Sequence, residues 1–336
     1  MNFKNFIIYI KKNNKTVTYY LFKHVPIFKI QLDDNTRYIF KFLFFKFKIR
    51  KKRYSIAQNK PYEQGKAKIP TVINCEKTIN ELVNSQKSII RYGDGEFNII
   101  NGNNIRFQKF DKNLKQELEQ LLQIEDVNIM VAIPDAFSDL SKHNKSAQKF
   151  WQKYMVTHRA NLYKKLDFNK TYYDAFVSRS YLEYLNNKNH NVIFKNLKKI
   201  WQNKDIVLVE GEFSRLGYKN DLFESSKSIK RILCPAENAY NSIEKIIEAC
   251  RTFSKDVLFI IALGPTATIL GYKLHNLGYR ALDLGHIDID YEWFLKKATK
   301  KIAIKDKYVN EVKKGRVKTN INDAEYNSQV YYRISN

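Results

Sequence analysis

Between residues 70 and 300, short apolar runs alternate with stretches whose apolar residues recur at helical spacing. Continuous apolar strands separated by helices are typical of a parallel sheet that is covered on both faces. Crossover connections are right-handed, so we expect an α/β fold with a doubly wound, mostly parallel, Rossmann-like sheet. The predicted strands are Ser88–Tyr92, Val127–Ile133, Tyr172–Val177, Asp205–Glu210, Arg231–Cys234, Val257–Leu263 and Arg280–Leu284. The predicted helices are Ile79–Ser85, Lys112–Leu122, Ala147–Lys164, Val192–Trp201, Ala239–Phe253 and Thr266–Leu277.

The first 66 residues differ in composition from the rest of the chain. The 336 residues have a formal net charge of +25, and residues 1–66 hold 16 Lys and Arg against 3 Asp and Glu. Two similar units rich in strand-favouring residues, Tyr20–Ile30 and Tyr38–Ile49, are separated by the turn signal Asp33–Asn35. The pattern predicts a basic and aromatic β-hairpin. We expect domains at 1–66, 67–300 and 301–336, the last being a basic, polar tail.

Three interpretations of the basic extension stay open: an anionic membrane surface, nucleic acid, or a solvated segment with a few packed aromatic residues. We favour the membrane surface because Phe and Tyr beside Lys suit the membrane interface. No recognisable nucleic-acid-binding module accompanies the charge, so nucleic acid is not the expected partner.

Cysteine usage and hydropathy bear on the compartment. Three scattered cysteines without a CxxC motif argue against a disulfide framework or a zinc site and favour a reducing compartment. No run approaches the roughly 18 apolar residues that span a bilayer. We expect a cytoplasmic protein that associates peripherally with the inner face of the cell membrane.

Candidate functional residues collect where the predicted strands end. In an open parallel sheet, ligands bind outside the carboxyl ends of the strands. Carboxylates, arginines, glycines and a histidine follow those ends, whereas Lys, Asn and Ser dominate the amino ends. The residues singled out are Arg91, Gly93, Asp94, Gly95, Glu96, Asp135, Glu212, Arg215, Asn220, Asp221, Glu237, Gly264, Pro265, Thr266, His286 and Asp288.

The segment Asp94–Glu96 is the first candidate for a metal site. If this segment is extended, the two carboxylates point the same way and can share one hard cation, Mn²⁺ or Mg²⁺. Gly93 and Gly95 would leave room for a bulky ligand and permit a tight turn. An ordinary turn is the alternative, because Asp-Gly is a common hairpin signal.

Other segments predict contacts with an anionic substrate. Gly264, Pro265 and Thr266 stand at a helix start, where free N–H groups and the helix dipole favour a phosphate, although a simple N-cap has the same pattern. Arg215 could hold a diphosphate or form a surface salt bridge. His286 with Asp288 could supply a general base or a further metal ligand.

Taken together, these motifs resemble the GT-D-fold glycosyltransferase family. The resemblance covers roughly residues 70–310 and leaves residues 1–66 unexplained. It implies transfer of a sugar from a nucleotide sugar, typically a UDP-hexose, with a metal-binding DxE motif at Asp94 and Glu96. The motifs that carry it are Arg91–Phe97, Glu210–Arg215, Asn220–Phe223, Arg231–Ala239, Ala262–Ala267, and Leu284–Asp288 with Tyr291–Phe294.

The expected reaction is a metal-dependent hexosyl transfer to a glycan, lipid-linked or protein-linked acceptor. A metal with arginines and helix-end donors around it would neutralise the departing nucleoside diphosphate. A base must deprotonate the acceptor hydroxyl, and the choice stays open among Asp135, Glu212, His286 and Asp288. Lys219 departs from the family pattern, which would have a glycine there, and puts the sugar preference in question.

Two rival functions have less support in the sequence. A nicotinamide-dependent oxidoreductase would show GxGxxG after a strand, and an ATPase would show GxxxxGK[ST]; neither motif is present. A basic binding module for membrane or nucleic acid on a Rossmann-like scaffold is the alternative from a different class. Deletion of residues 1–66 would abolish the activity of such a module and spare that of an enzyme.

Overall fold

The structure is a computed structural model that describes the strands between residues 8 and 50 and residues 69–185 and 189–335. The chain divides into two compact units. One comprises residues 1–68 with 149–164, and the other comprises residues 69–148 with 165–336. Among the described helices, none has the length and apolarity that crossing a membrane requires.

The first unit contains an antiparallel sheet rather than a single hairpin. Its strands pair in chain order, β1-β2-β3-β4-β5. The apolar and basic residues alternate within these strands, which is the pattern of a sheet with two unlike faces. The turn at 34–35 and the basic run 51–53 lie outside the described residues. The strands are β1 Ile8–Asn13, β2 Thr16–Leu21, β3 Val25–Asp33, β4 Arg37–Phe42 and β5 Phe45–Arg50.

The second unit is built on a nine-stranded parallel sheet with the order β14-β11-β10-β12-β13-β7-β8-β9-β6. The expected α/β, Rossmann-like fold is therefore confirmed. Its central strands are buried along their length, as the continuous apolar runs predicted. The strands are β6 Thr71–Ile73, β7 Ser88–Arg91, β8 Ile129–Ile133, β9 Thr171–Asp174, β10 Asp205–Gly211, β11 Ser228–Cys234, β12 Leu258–Ala262, β13 Arg280–Asp283 and β14 Val330–Arg333.

Helices connect the strands, and local sequence fixes several of their starts. The Asn74 and Asp111 side chains accept hydrogen bonds from the third residue of their helices, as N-caps do. Pro265 occupies the first position of its helix, where its missing N–H costs nothing. The helices are α1 Cys75–Asn84, α2 Asp94–Ile100, α3 Lys112–Leu121, α4 Lys145–Tyr163, α5 Ser180–Glu183, α6 His190–Trp201, α7 Ile243–Arg251, α8 Pro265–Asn276, α9 Ile287–Leu295 and α10 Ala324–Ser328.

The sheet consists of two halves that meet at β13 and β7. The pairing there is short, with Leu282 opposite Ile89, whereas β12 and β13 pair over four positions. Connections leave this junction in opposite directions, since β7 leads to β8 on one side and β13 leads towards β14 at the far edge. Such switch points are where open α/β sheets bind ligands.

The C-terminal segment that we expected to be a tail includes packed residues. Its strand β14 pairs with β11 and forms one edge of the large sheet. The Lys307 side chain is 1% exposed and lies against α9. This packing could not be expected from the sequence because the segment is polar and rich in lysine.

Candidate active site

Asp94 and Glu96 lie in the first turn of α2, directly after β7 and beside the switch point. The expectation of an extended segment is therefore wrong, and the two side chains are not related by strand alternation. The Glu96 Oε2 atom accepts a hydrogen bond from the Gly93 N–H at 2.7 Å, which closes the start of the helix. A Cβ at Gly95 would meet Ile105 at an ordinary 3.6 Å, so packing does not demand glycine there.

The charge around Glu96 is predominantly negative. Burial raises the pKa of Glu96 to about 7, and the neighbouring carboxylates of Asp283 and Asp94 add to the effect. Both Asp94 and Glu96 are half-buried. A cation placed here would relieve the repulsion among these carboxylates.

Arg91 binds the end of β13 instead of pointing freely into the cleft. Its guanidinium donates to the Asp283 carboxylate at 2.8 Å and to the Asp283 carbonyl at 2.5 Å. It also donates to the Ala175 carbonyl at 3.1 Å. A Cβ at Gly285 would lie 2.3 Å from the Arg91 guanidinium, so glycine is required for this approach. The geometry points to a clamp across the two half-sheets rather than to the expected substrate contact.

A second charged group includes His286, which follows β13, and two cations, Arg179 and Lys301, that interact electrostatically with Asp94. The His286 Nε2 atom lies 2.7 Å from Glu311 Oε1, and Glu311 also forms an ion pair with Arg179. Burial opposes the charge of Arg179, but Glu311, Glu183 and Asp94 outweigh it and raise the pKa of the guanidinium. Lys301 lies within electrostatic reach of the same carboxylates, including Asp94.

Asp288 is fully buried in an ion-paired cluster. Lys307 Nζ donates to both Asp288 oxygens, at 2.9 and 2.7 Å, and to Glu292 at 3.0 Å. The Gly217 N–H and the Asn220 amide, each at 2.8 Å, also donate to Asp288. This saturation argues against the expected catalytic role of Asp288 and the expected substrate role of Asn220. Both hold the loop after β10 against α9.

Arg215 and Glu212 lie at the ends of β10 and β11, several strands away from Asp94. Arg215 is 2% exposed and donates to the carbonyls of Asp306 and Thr319, so it anchors the C-terminal segment rather than an open diphosphate site. Glu212 is exposed and, together with Arg215, lines a cavity of about 260 Å³ that Asp94 and Glu96 do not line. Asp221, expected to bind substrate, accepts hydrogen bonds from Lys198 and Tyr291.

The helix start at Gly264–Thr266 is covered. A Cβ on Gly264, whose φ is +55°, would lie 2.3 Å from the Phe107 ring, and Thr266 is fully buried. The phosphate contact expected here would require movement of Phe107. Glu237 forms an exposed ion pair with Lys318. Asp135, two residues after the end of β8, forms an ion pair with Lys142.

Sequence reasoning missed Asp283, Arg179, Lys301 and Glu311. Arg179 follows the strand predicted at Tyr172–Val177, so the rule that singled out the other candidates would have found it. Asp283 lies inside the strand predicted at Arg280–Leu284, one residue before its end, so it was not among the residues that follow a strand. Nothing in the pattern around Lys301 and Glu311 indicated a place in the cleft, because both lie in the segment interpreted as a tail.

No three His, Cys, Asp or Glu side chains within residues 69–185 and 189–335 form a group able to hold a metal ion. Asp94 and Glu96 could therefore supply at most part of a coordination shell. That arrangement is usual for Mg²⁺ and similar ions, which complete their shell with water and substrate phosphates.

Comparisons with known proteins identify the family of the chain. Two curated relatives match: "Probable glycosyl transferase Gly" of Streptococcus gordonii, 36% identical over 79% of this chain, and "Glycosyltransferase GlyD" of Streptococcus pneumoniae serotype 4, 35% identical over 78%. The chain spans about two fifths of the first relative, 39%, and about a third of the second, 32%.

Solved structures show the same fold. A structure described as "A New Glycosyltransferase (DUF1792) from Streptococcus sanguinis" is 34% identical with a TM-score of 0.76, and the match covers 80% of this chain and all of that one. A second, described as a domain of unknown function 1792 with a distinct glycosyltransferase fold, is 32% identical with a TM-score of 0.77, covering 84% of this chain and all of that one. The family profile "Glycosyltransferase GT-D fold" matches residues 89–312. The chain therefore belongs to the GT-D-fold glycosyltransferase family.

Proposed function

We propose that the protein transfers a hexose from a nucleotide sugar, a UDP-hexose, to a glycan or glycoconjugate. The observation that carries this proposal is that Asp94 and Glu96 follow β7 and His286 follows β13, the two neighbouring strands at the switch point, in a chain of this family. The acceptor is a glycan, lipid-linked or protein-linked chain.

Asp94 and Glu96 would hold a divalent cation, Mn²⁺ or Mg²⁺. Their oxygen ligands suit a hard ion, and the carboxylates of Asp94 and Asp283 already disfavour a further negative charge on Glu96. The bound ion would neutralise the negative charge that develops on the departing diphosphate. Glu96 would have to share its oxygen with the Gly93 N–H or use the other oxygen.

Arg179 and Lys301 add positive charge to the same cleft. Both interact electrostatically with Asp94, so they would attract a diphosphate held near Asp94. The Arg179 guanidinium is held by its ion pair with Glu311, and a cation held in this way stabilises a leaving phosphate with little reorganisation during the reaction. These two residues take the role expected of Arg91 and Arg215, which bind the protein instead.

His286 is the proposed base among the four candidates. Burial lowers the pKa of His286 despite the neighbouring Glu311, so the imidazole is neutral near pH 7 and can accept the acceptor's proton. Glu311 fixes the ring orientation through the hydrogen bond to Nε2, as a carboxylate does in a catalytic triad. Asp288 is buried, Glu212 lies at a different strand end, and Asp135 is paired with Lys142.

We also propose that residues 1–66 hold the protein at the inner face of the cell membrane, in the cytoplasm. The excess of basic residues in this segment supports the proposal, because anionic headgroups attract juxtamembrane lysines and arginines.

The test is a thermal-shift panel of nucleotide sugars with and without Mn²⁺. A ligand that binds the folded state raises the melting temperature, and we expect a UDP-hexose to do so only with the metal. Asp94→Asn with Glu96→Gln should lose the metal-dependent shift. Glu248→Gln with Asp256→Asn, two exposed acids distant from the cleft along the chain, is the charge-matched control and should retain it. A full metal-dependent shift in the Asp94 and Glu96 variant would refute the metal assignment.

A further inference from the structure

A cavity of about 260 Å³ lies at the carboxyl edge of the large sheet. Three of its lining residues mark this position: Glu212 follows β10, Leu233 belongs to β11, and Arg333 is the last residue of β14. β12 and β13 stand between β10 and β7, so β10 and β7 are about 14 Å apart at the usual spacing of strands. The cavity is therefore a candidate site apart from the cleft at Asp94, on the edge where open α/β sheets bind ligands.

The C-terminal segment supplies most of the wall of this cavity. The family profile ends at residue 312, so a ligand bound here would be recognised mainly by residues outside the part of the chain that defines the family. The lining residues from this segment are Asn320, Ile321, Tyr326, Asn327 and Arg333.

Arg215 brings a buried positive charge to the wall of the cavity. Its guanidinium donates to the backbone carbonyls of Asp306 and Thr319, and within residues 69–185 and 189–335 no carboxylate lies within ion-pair distance of it. Arg231, which is equally buried, is neutralised by Glu210 at 2.6 Å. A buried charge without a counter-ion is costly, and an anion bound beside Arg215 would offset that cost.

Two buried polar atoms of the lining residues add to this cost. Arg215 Nε and the Tyr326 hydroxyl have no hydrogen-bond partner among the residues that the structure describes. The Tyr326 ring is fixed by packing, since it lies edge-on to Tyr218 at 5.4 Å between ring centroids and 4.4 Å from the Arg231 guanidinium carbon. Both atoms can donate a hydrogen bond to an anionic oxygen, and buried donors are normally satisfied.

The backbone at Arg215 is also strained. Its φ of +55° lies in the left-handed region, which glycine or asparagine occupies at lower cost. Residues held in such conformations cluster at ligand-binding sites, where the surrounding structure maintains the strain. The buried arginine is therefore kept at this position at the expense of stability.

Exposed polar groups complete the wall. Arg333 is a second cation, and its guanidinium donates to the Asn327 amide oxygen at 3.3 Å. The amides of Asn320 and Asn327 and the Glu212 carboxylate offer the donors and acceptors that sugar hydroxyls need. A single water requires roughly 10–15 Å³ of such space, so the cavity has room for a sugar and not merely for an isolated oxyanion.

We propose that this cavity binds a hexose that carries an anionic group, a phosphate or a carboxylate, with the anion beside Arg215 and Arg333 and the hydroxyls at Glu212 and the two amides. The Glu212 carboxylate opposes the anion, but the two cations outnumber it. This inference goes beyond the proposed transfer reaction, because Asp94 and Glu96 do not line the cavity and its ligand requires neither metal nor donor.

The experiment is isothermal titration calorimetry of the full chain without divalent metal. The ligands are glucose 6-phosphate and glucuronate, with glucose and inorganic phosphate for comparison. At least one charged hexose should bind about tenfold or more tightly than either comparison ligand, since hydrogen bonds to a charged group are the stronger ones. The two charged hexoses also distinguish a phosphate from a carboxylate. Binding of glucose or inorganic phosphate as tight as that of both charged hexoses, or no binding of either charged hexose, would overturn the proposal.

Substitutions in the wall should change the affinity in opposite directions. Arg333→Gln should weaken binding of the charged hexose about tenfold or more, whereas Arg251→Gln, which removes an exposed charge in α7, should not. Glu212→Gln removes a repulsive charge and should strengthen binding about fivefold, with the exposed Glu248→Gln as its control. Equal affinities in the two arginine variants, or weaker binding by Glu212→Gln, would contradict the assignment.

Two further measurements separate this site from folding and from the cleft. Arg333 is exposed, so Arg333→Gln should melt at the temperature of the wild type when no ligand is present. Asp94→Asn with Glu96→Gln should bind the charged hexose as the wild type does, and loss of binding in that variant would place the ligand in the cleft instead. Arg333→Gln should retain the donor-induced thermal shift with Mn²⁺, so failure of one proposal does not bear on the other.

Discussion

Lys307 joins the C-terminal segment to the body of the fold through buried charges, and its removal should be costly. The ammonium is 1% exposed and makes its hydrogen bonds to Asp288 and Glu292, of which Asp288 is fully buried. Lys307→Met keeps the approximate length of the side chain but leaves both carboxylates without their cation. Breaking a buried pair from one side typically costs about 3–5 kcal/mol. In a unit of this size we expect a fall in melting temperature of roughly 10 °C.

Differential scanning calorimetry measures this effect against a matched control. Lys318 forms an ion pair with Glu237 in which both side chains are about half exposed, so Lys318→Met should cost about 0–1 kcal/mol. The double variant Asp288→Asn with Lys307→Met should lose less free energy of unfolding than the sum of the two single variants. The reason is that Asp288→Asn removes one of the carboxylates that Lys307→Met leaves without a cation. Additive costs, or equal shifts for the two Met variants, would refute the buried-pair argument.

The same variants test the role of Asp288 in the reaction. If Asp288 is structural, Asp288→Asn should turn over donor normally at temperatures where it is folded. A variant that is fully folded and inactive would restore the catalytic assignment made from the sequence.

Three further predictions concern the cleft and its surroundings. Gly264→Ala should lower the free energy of unfolding in a urea titration by about 1–3 kcal/mol, because Gly264 has a positive φ and the added Cβ would strike Phe107. Combining Gly264→Ala with Phe107→Ala should recover part of this loss. No recovery would mean that backbone strain alone is responsible. Burial raises the pKa of Asp174 to about 7, so the stability that this carboxyl contributes should be lost as pH rises from about 4 to about 7. In the same urea titration, Asp174→Asn should therefore be more stable than the wild type at pH 8 but not at pH 4. The rate of sugar transfer should fall as pH decreases through the pKa of His286, which burial places below the usual value for histidine. His286→Gln should abolish most activity, and the residual activity should no longer fall at low pH. An unchanged pH profile in this variant would exclude His286 as the base.

The fold was largely predictable because its signals are local. Each predicted strand from Ser88 to Leu284 overlaps an observed one, since buried parallel strands are continuous apolar runs. β6 and β14 were missed because they are short edge strands of three and four residues without such a run.

The site was predictable only in its position along the sheet. Strand ends identified Asp94 and His286. Sequence spacing could not show that a helix begins after Gly93, so that Asp94 and Glu96 lie in its first turn and not in an extended segment. The partners of charged residues are long-range facts. Arg215 looked like a diphosphate ligand because nothing local reveals that its acceptors are the carbonyls of Asp306 and Thr319.

The short join between β13 and β7 has a consequence for biosynthesis. Arg91 leaves the ribosome long before Asp283, its partner 192 positions further along the chain. Until then β7 remains an unpaired edge on that side, and contacts so distant in sequence form slowly. The crevice between β13 and β7 therefore forms late in folding. Binding of a nucleotide would then show that the enzyme has finished folding.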